Sequence, residues 1–543
     1  MSGEPVPIFA ERAGRPVVMG RHWCLASGHP LASWAGARVL EEGGSAADAA
    51  VAVAAVLNVV EPHMSGLGGD LFALVADMNT GRVWAINGTG SAPLEATAER
   101  YRAGIPERGP SSVSVPGAGR AWDLLHRRWG KLPLARLLGP AIELAAGGFP
   151  VSHNLAAALA AHRNVLSAFP DTARIFLPYG ELPRSGQPLR QPELARTLET
   201  LATSGFASLY EGELAERLVR SVRSAGGLLS AESLALARAE VLEPLALRYR
   251  DWTVWAPPPN SSAHTVLAML GMLDCLPLAD WKPLSAELLH VMIEAKKLAF
   301  RDRERFTADP RFGQTLPSEA LDPARLRRLA ASIDLRRARP GPQPDDAPGT
   351  MTTSFSVIDP DGLCIVVTAS LNMAFGSGFV AGDTGILLNN RMLYWHLEPS
   401  HPNRLEPGKR VRHTLSPILA ATGPTVLGLG TPGGDAQPQI LVHVLVHLLE
   451  YGLSLQEAVE LPRWRHRGIG QESNWPHGTE DVVEVEGRLP NATIEGLQAR
   501  GHFVRRLARW GPIGSCQVVR RDGRTGVVEA AADPRSDAYA LAW

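Results

Sequence analysis

The chain has 543 residues, 45% hydrophobic and 20% charged, the balance of an ordinary globular protein. Its 54 basic and 55 acidic side chains leave a net charge of −1 and a pI near 7.0, which argues against a general nucleic-acid or membrane-surface role. The longest apolar run, near residues 49–60, is too short to span a bilayer, and length alone allows about three domains of ~150 residues.

The first residues, Met1-Ser2-Gly3-Glu4-Pro5-Val6-Pro7, lack a basic start followed by an apolar stretch, so no secretory signal is read and a cytoplasmic location is expected. Cys24, Cys275, Cys364 and Cys516 are too scattered for a zinc pattern and too few for a disulfide framework. Helical spacing runs from His29 to Glu42 and stops at Gly43-Gly44. Ser45 then reads as the N-cap of an Ala/Val-rich helix to about Val60, apolar nearly all round and therefore buried. The cluster Ser65-Gly66-Leu67-Gly68-Gly69-Asp70 lacks the Lys-Ser/Thr of a phosphate loop and is read as close backbone packing against a sheet. Strands are predicted over Leu71–Ala76 and Arg82–Asn87, joined by a turn at Asn79-Thr80-Gly81. From Ala118 to Trp255 the pattern is mainly helical, broken at Gly147-Gly148, Gly180 and Gly226-Gly227, with one strand over Tyr249–Trp255. Helices are predicted from about Ala263 and over Ser285–Asp302, and Arg325-Leu326-Arg327-Arg328 reads as a solvated helix face.

The Pro-rich run from Arg339 to Met351 has little to pack and is predicted to be an exposed loop. It ends abruptly in Thr352-Thr353-Ser354-Phe355-Ser356-Val357-Ile358, a strand by its residue types. Asp359-Pro360-Asp361-Gly362 is a turn, and Leu363–Ala369 the return strand. An internal threonine is a poor nucleophile, but an N-terminal one carries its own base: an α-amine titrating at about 7.7–8.0 accepts the hydroxyl proton near neutral pH. The expectation is that the chain cuts itself between Met351 and Thr352, by attack of the Thr352 hydroxyl on the Met351 carbonyl and hydrolysis of the resulting ester. Further on, a buried strand is predicted at Thr425–Leu429, a helix at Gln437–Tyr451, and strand character at Val482–Val485 and Cys516–Arg520.

Two motifs are set aside. Gly428-Leu429-Gly430-Thr431-Pro432-Gly433 fits a dinucleotide fingerprint, yet Glu450, at the distance of the ribose acid, closes a helix instead of ending a second strand. His443 and His447 stand four apart, but Val444 occupies the place of a zinc protease's glutamate. They are read as a satisfied or solvent-edge pair, and no metal and no cofactor are predicted.

The segments Thr352-Thr353-x-Phe355-Ser356-Val357-x-Asp359, Leu371-Asn372, Phe375-Gly376-Ser377-Gly378, Gly382-Asp383-Thr384-Gly385, Pro432-Gly433-Gly434 and Asp533-Pro534-Arg535-Ser536 resemble the small-subunit signature of the γ-glutamyltranspeptidase family. Upstream, Gly43-Gly44-Ser45-Ala46-Ala47-Asp48, Glu61-Pro62, Ser65-Gly66-Leu67-Gly68-Gly69-Asp70 and Pro257-Pro258-Pro259 also fit, so the resemblance covers nearly the whole chain. It implies an α+β fold, the four-layer αββα sandwich of N-terminal-nucleophile (Ntn) hydrolases; pattern alone gives only mixed α and β. It implies that fragments 1–351 and 352–543 stay together as a heterodimer, which in turn can pair, and that the substrate is a small-molecule amide, by default a γ-glutamyl amide such as glutathione. It makes Thr352 the nucleophile, Ser370 a hydroxyl bonded to it, Gly433 and Gly434 the oxyanion-binding glycines, and Asn372 a holder of the substrate's α-amino group.

The departures concern that amino-acid head. Thr89 stands where the family has the arginine for the α-carboxylate, and His413-Thr414 replaces a paired serine motif of the same site. Arg391 and Tyr394 replace a glutamine and an aspartate that help hold the amino group. Losing an arginine–carboxylate fork removes a strong recognition device. Arg391 and His413 would instead suit an anionic acyl group lacking the amine, as in oxamate or the glutaryl side chain of the cephalosporin acylase branch. The segment between Tyr394 and Arg410 is shorter than in members with a lid loop, which favours hydrolysis over transfer. An uncleaved, non-catalytic chain that binds a small acid is the alternative from another class.

Overall fold

The computed structural model describes residues 14–313, 317–339, 351–468, 473 and 481–543. The opening residues and most of the Pro-rich run, residues 340–350, lie outside these, and with them the prediction of an exposed loop before Thr352.

Two seven-stranded sheets form the centre. The first runs in the order Tyr539–Ala542, Cys24–Ser27, Met351–Ile358, Leu363–Asn372, Asp70–Asp77, Arg82–Gly88 and Glu240–Leu242. The second runs Val18–Gly20, Val528–Ala532, Gln517–Arg521, Thr425–Gly430, Ile418–Thr422, Trp252–Ala256 and Leu245–Tyr249. Neighbouring strands within both are antiparallel. Small residues fill the space between the sheets, among them Cys24, Ala26, Ala76, Cys364, Ala530 and Ala532. Gly428 belongs to the same seam: a Cβ there would sit 2.6 Å from Val366, so the first glycine of the apparent dinucleotide fingerprint is a packing residue.

Helices cover the two outer faces. Pro30–Glu41, Ala46–Val60 and Leu134–Gly147 bury their apolar sides in one core with the first sheet, and His264–Leu273, Ala286–Arg301 and Gln437–Leu449 do so with the second. The layering is helix, sheet, sheet, helix: the α+β, four-layer αββα sandwich. The helix Ala46–Val60 starts where predicted, on a capping box in which Ser45 accepts from the Asp48 N–H and Asp48 accepts from the Ser45 N–H. All of its residues are buried.

Two local readings change. Tyr249–Trp255 is not one strand: Arg250 takes φ 50°, the chain reverses, and Leu245–Tyr249 pairs with Trp252–Ala256 as a hairpin. Arg250 holds this turn by donating to Asp274 and Glu450. His443 and His447 are not at a solvent edge; both are buried, and the His447 Nδ1–H donates to the His443 carbonyl at 2.7 Å. Among the described residues no helix is long and apolar enough to cross a membrane.

Candidate active site

Thr352 lies on a central strand of the first sheet, second from its start, and is only 1% exposed. Pairing with the return strand is irregular at this point. Met351 faces Asn372, yet Thr353 faces Ala369, so one extra residue is accommodated around Ser370 and Leu371. A bulge re-aims side chains, and the one re-aimed is Ser370: its hydroxyl donates to the Met351 carbonyl at 2.7 Å. The Asn372 N–H donates to Ser370 Oγ at 2.8 Å, and Asn372 adopts a left-handed φ of 86° to do so. Ser370 therefore contacts the carbonyl that would be cut, whereas Thr352 Oγ1 has no hydrogen-bond partner among the described residues.

Thr353, the next residue, donates its hydroxyl to Glu61 Oε2 at 2.8 Å. Burial pushes the Glu61 carboxyl up to about 7, against the pull of that hydrogen bond, and nearby Asp537 adds to the rise. Gly28 makes room for the pair, since a Cβ there would lie 2.7 Å from the Glu61 carboxylate and 2.9 Å from Thr353 Oγ1.

A cavity of about 870 Å³ opens beside Thr352. Met351, Thr352, Thr353, Glu61 and Gly433 line it, together with a small-residue helix face at Ala157, Ala158 and Ala161. Gly433 and Gly434 have φ of 129° and 54°, values that favour glycine, and lead into the helix Gln437–Leu449. Gly433 faces the cavity and Gly434 is buried behind it. The turn is anchored by Asp435, which pairs with Arg303 and accepts from the Ser473 N–H at 2.8 Å and hydroxyl at 2.6 Å. Burial alone would raise the Asp435 carboxyl, but Arg303 and Arg412 hold it below the usual range. A second wall carries a chain in which Lys296 Nζ donates to His466 Nδ1 at 2.9 Å and His466 Nε2 donates to Asp481 at 2.6 Å.

The residues expected to bind the substrate's head do not line this cavity. Asn372, Arg391, Tyr394, His413, Thr414 and Thr89 are all buried. Arg391, Tyr394 and His413 gather around Asp70, which sits directly across from Ser370 in the neighbouring strand. Asp70 accepts from the Gly90 N–H at 2.7 Å and lies 3.4 Å from Arg391 Nε and 3.6 Å from His413 Nε2. The Arg391 guanidinium stacks 4.6 Å over the Tyr394 ring, and its Nη1 and Nη2 have no partner among the described residues. Burial raises Asp70 to about 6, although Arg391 opposes it. Burial, with Arg391 and Arg410, pushes His413 well below its ordinary value, so the imidazole is neutral. Thr89 serves elsewhere: its hydroxyl donates to Asn87 at 2.7 Å and accepts from Asn260 at 3.2 Å. Asn372 donates through Nδ2 to the Asn390 carbonyl at 3.2 Å, and the Thr414 carbonyl accepts from the Ser416 hydroxyl at 2.9 Å.

Sequence reasoning missed the roles of Glu61, Asp70 and Asp435. Each was visible as a charge bordering an apolar or glycine-rich stretch, where burial demands a partner. Two groups could in principle hold a cation, His290–Glu294–His502 and Glu304–His396–His401, their donor atoms lying within 4.8 Å of one another. In the first, His290 is already bonded to His502 at 2.8 Å and to the Asp334 carbonyl at 2.7 Å.

A threonine near the start of a central strand of an αββα sandwich, beside a glycine-walled cavity, is the arrangement of Ntn hydrolases. The sequence model described as Gamma-glutamyltranspeptidase matches residues 32–543, and the chain belongs to that family of hydrolases and acyltransferases. It is 37% identical over 531 residues to the glutathione hydrolase-like YwrD proenzyme of Bacillus subtilis (strain 168), covering 96% of this chain and 99% of that one. It is also 37% identical over 539 residues to the oxamate amidohydrolase proenzyme of Klebsiella pneumoniae, covering 96% and 98%. The structure of a cephalosporin acylase from Bacillus halodurans superimposes with a TM-score of 0.88 at 34% identity, covering 100% of this chain and 99% of that one.

Proposed function

We propose that the protein cuts its own backbone between Met351 and Thr352 and that Thr352 then cleaves small acyl amides, γ-glutamyl amides such as glutathione being the default, through an acyl-enzyme. The observation that carries this reading is the Ser370 hydroxyl on the Met351 carbonyl. When Thr352 Oγ1 adds to that carbonyl carbon, negative charge grows on an oxygen that already has a donor, and the Asn372 N–H steadies the donor. The C–N bond then breaks, nitrogen takes a proton to become the α-amine, and water opens the ester. In turnover the same hydroxyl attacks the substrate amide, the α-amine takes its proton and passes it to the leaving amine, and the Gly433–Gly434 turn offers backbone N–H groups to the oxyanion. Water completes hydrolysis; an amine in its place gives transfer.

A second reading concerns the acyl group, and Arg391 favours it. The Arg391 guanidinium does not line the cavity beside Thr352; it lies next to Asp70, which faces Ser370 in the neighbouring strand, and its Nη1 and Nη2, unpartnered among the described residues, would serve a carboxylate that reached them, whereas Tyr394 adds no counter-charge for an ammonium. An acyl half that is anionic and lacks an α-amine, of the oxamate or glutaryl kind, fits that chemistry. One preparation assayed on γ-glutamyl p-nitroanilide, oxamate and a glutaryl amide separates the readings. Preference for oxamate or glutaryl amide, lost in Arg391→Gln by about tenfold or more in kcat/KM, supports the second; strong γ-glutamyl turnover indifferent to Arg391→Gln supports the first alone.

A further inference from the structure

Glu61 is a buried carboxyl on the cavity wall that the reaction above does not use. Its oxygen accepts the Thr353 hydroxyl, and Thr353 follows the nucleophile directly. Among the described residues no lysine or arginine pairs with it. The charged group that acts on it is Asp537, from the C-terminal segment; His63 lines the same cavity two residues further on, and His29 follows Gly28, whose Cβ would meet the carboxylate. Burial pushes His63 to about 3 and His29 to about 4, so both are neutral near pH 7 and neither supplies a positive charge. Arg535 lines the same cavity but is committed to Asp533 and Glu486.

A buried carboxylate without a counter-ion is costly. Cutting before Thr352 creates an α-amine one residue from the Thr353 hydroxyl, a cation for a carboxyl that pairs with no lysine or arginine among the described residues. We propose that Glu61 is a positioning residue with two effects: through the Thr353 hydroxyl it fixes the first peptide of the cut strand, and through its charge it sets the pH range in which the Thr352 α-amine can serve as base. The sign follows from electrostatics. An ionised Glu61 stabilises the α-ammonium, which cannot accept the hydroxyl proton, so the acid limb of the rate profile moves to higher pH than a lone α-amine would give. Gly28 belongs to the same device, because a side chain there would displace the carboxylate.

This inference rests on Thr352 being the cut-made nucleophile, and N-terminal sequencing of the same preparation keeps the two apart. The test is the pH dependence of kcat/KM for Glu61→Gln, in which the amide oxygen still accepts from Thr353. The acid limb is expected to fall by at least about half a pH unit. An unmoved limb in a correctly processed enzyme overturns the inference and leaves the nucleophile assignment standing. Thr353→Val cuts the link without touching the carboxyl and covers the case in which Glu61→Gln does not accumulate. It is expected to lower kcat by about tenfold or more with KM nearly unchanged; a wild-type kcat in Thr353→Val overturns the positioning role. A light fragment that does not begin at Thr352 overturns both readings together.

Discussion

Ser370 is one hydroxyl on which the self-cutting step turns. It donates to the carbonyl oxygen of Met351, and nothing among the described residues bonds Thr352 Oγ1. Polarising the acceptor is thus the assistance visible before cutting, while the base arises only when the α-amine is released. Ser370→Ala removes a preorganised donor, a loss worth about a hundredfold in comparable oxyanion sites. Purified precursor of that variant is expected to cut about a hundred times more slowly than wild type, read as loss of the full-length band on a denaturing gel. Wild-type cutting by Ser370→Ala would remove this role. The residue's importance was readable from the sequence through resemblance, but its partner was not. Which atom a serine reaches depends on strand register, and the register here slips by one between Met351 and Thr353.

At the scale of elements, that slip is held by glycine contacts. Gly69 packs so close beneath the return strand that a Cβ would lie 2.4 Å from the Ser370 carbonyl oxygen, a backbone atom that cannot swing aside. Gly69→Ala is therefore expected to shift Ser370, slow self-cutting, and lower stability by about 1–3 kcal/mol, measured by denaturant melts of the uncut chain. An unchanged cutting rate would show that the bulge does not depend on this packing. Much at this scale was legible beforehand. The N-cap at Ser45, the hairpin turn at Asp359-Pro360-Asp361-Gly362 and the helix beginning after Ser285 all follow from short-range rules, and the structure has them. The glycine cluster at residues 66–69 was rightly read as close packing, Gly68 against Leu387 and Gly69 against Ser370. What was not legible depends on distant partners. The Arg250 turn is stabilised by Asp274 and Glu450, 24 and 200 residues away, so propensity alone drew a single strand through it. The Asp70–Arg391–His413 cluster likewise joins segments more than 300 residues apart.

At the scale of the whole molecule, each central sheet mixes strands from before and after Met351. The first takes Cys24–Ser27, Asp70–Asp77, Arg82–Gly88 and Glu240–Leu242 from one side and Met351–Ile358, Leu363–Asn372 and Tyr539–Ala542 from the other. The second is divided in the same way. Separating the fragments would expose ladder edges in both sheets and the apolar layer between them, which far outweighs one peptide bond. The cut protein is expected to elute as one species under native conditions and to separate only in denaturant. The layered fold itself was expected from resemblance; periodicity could announce helices and strands but not that two sheets would stack through a seam of Ala, Cys and Gly.

The most direct measurement is the identity of the first residue of the light fragment, determined by N-terminal sequencing or intact mass on active, natively purified protein. Self-cutting before Thr352 predicts two co-eluting fragments, the lighter beginning at Thr352 with a free α-amine. Full amidase activity in an uncut chain, or in a light fragment that starts at any other residue, would contradict it.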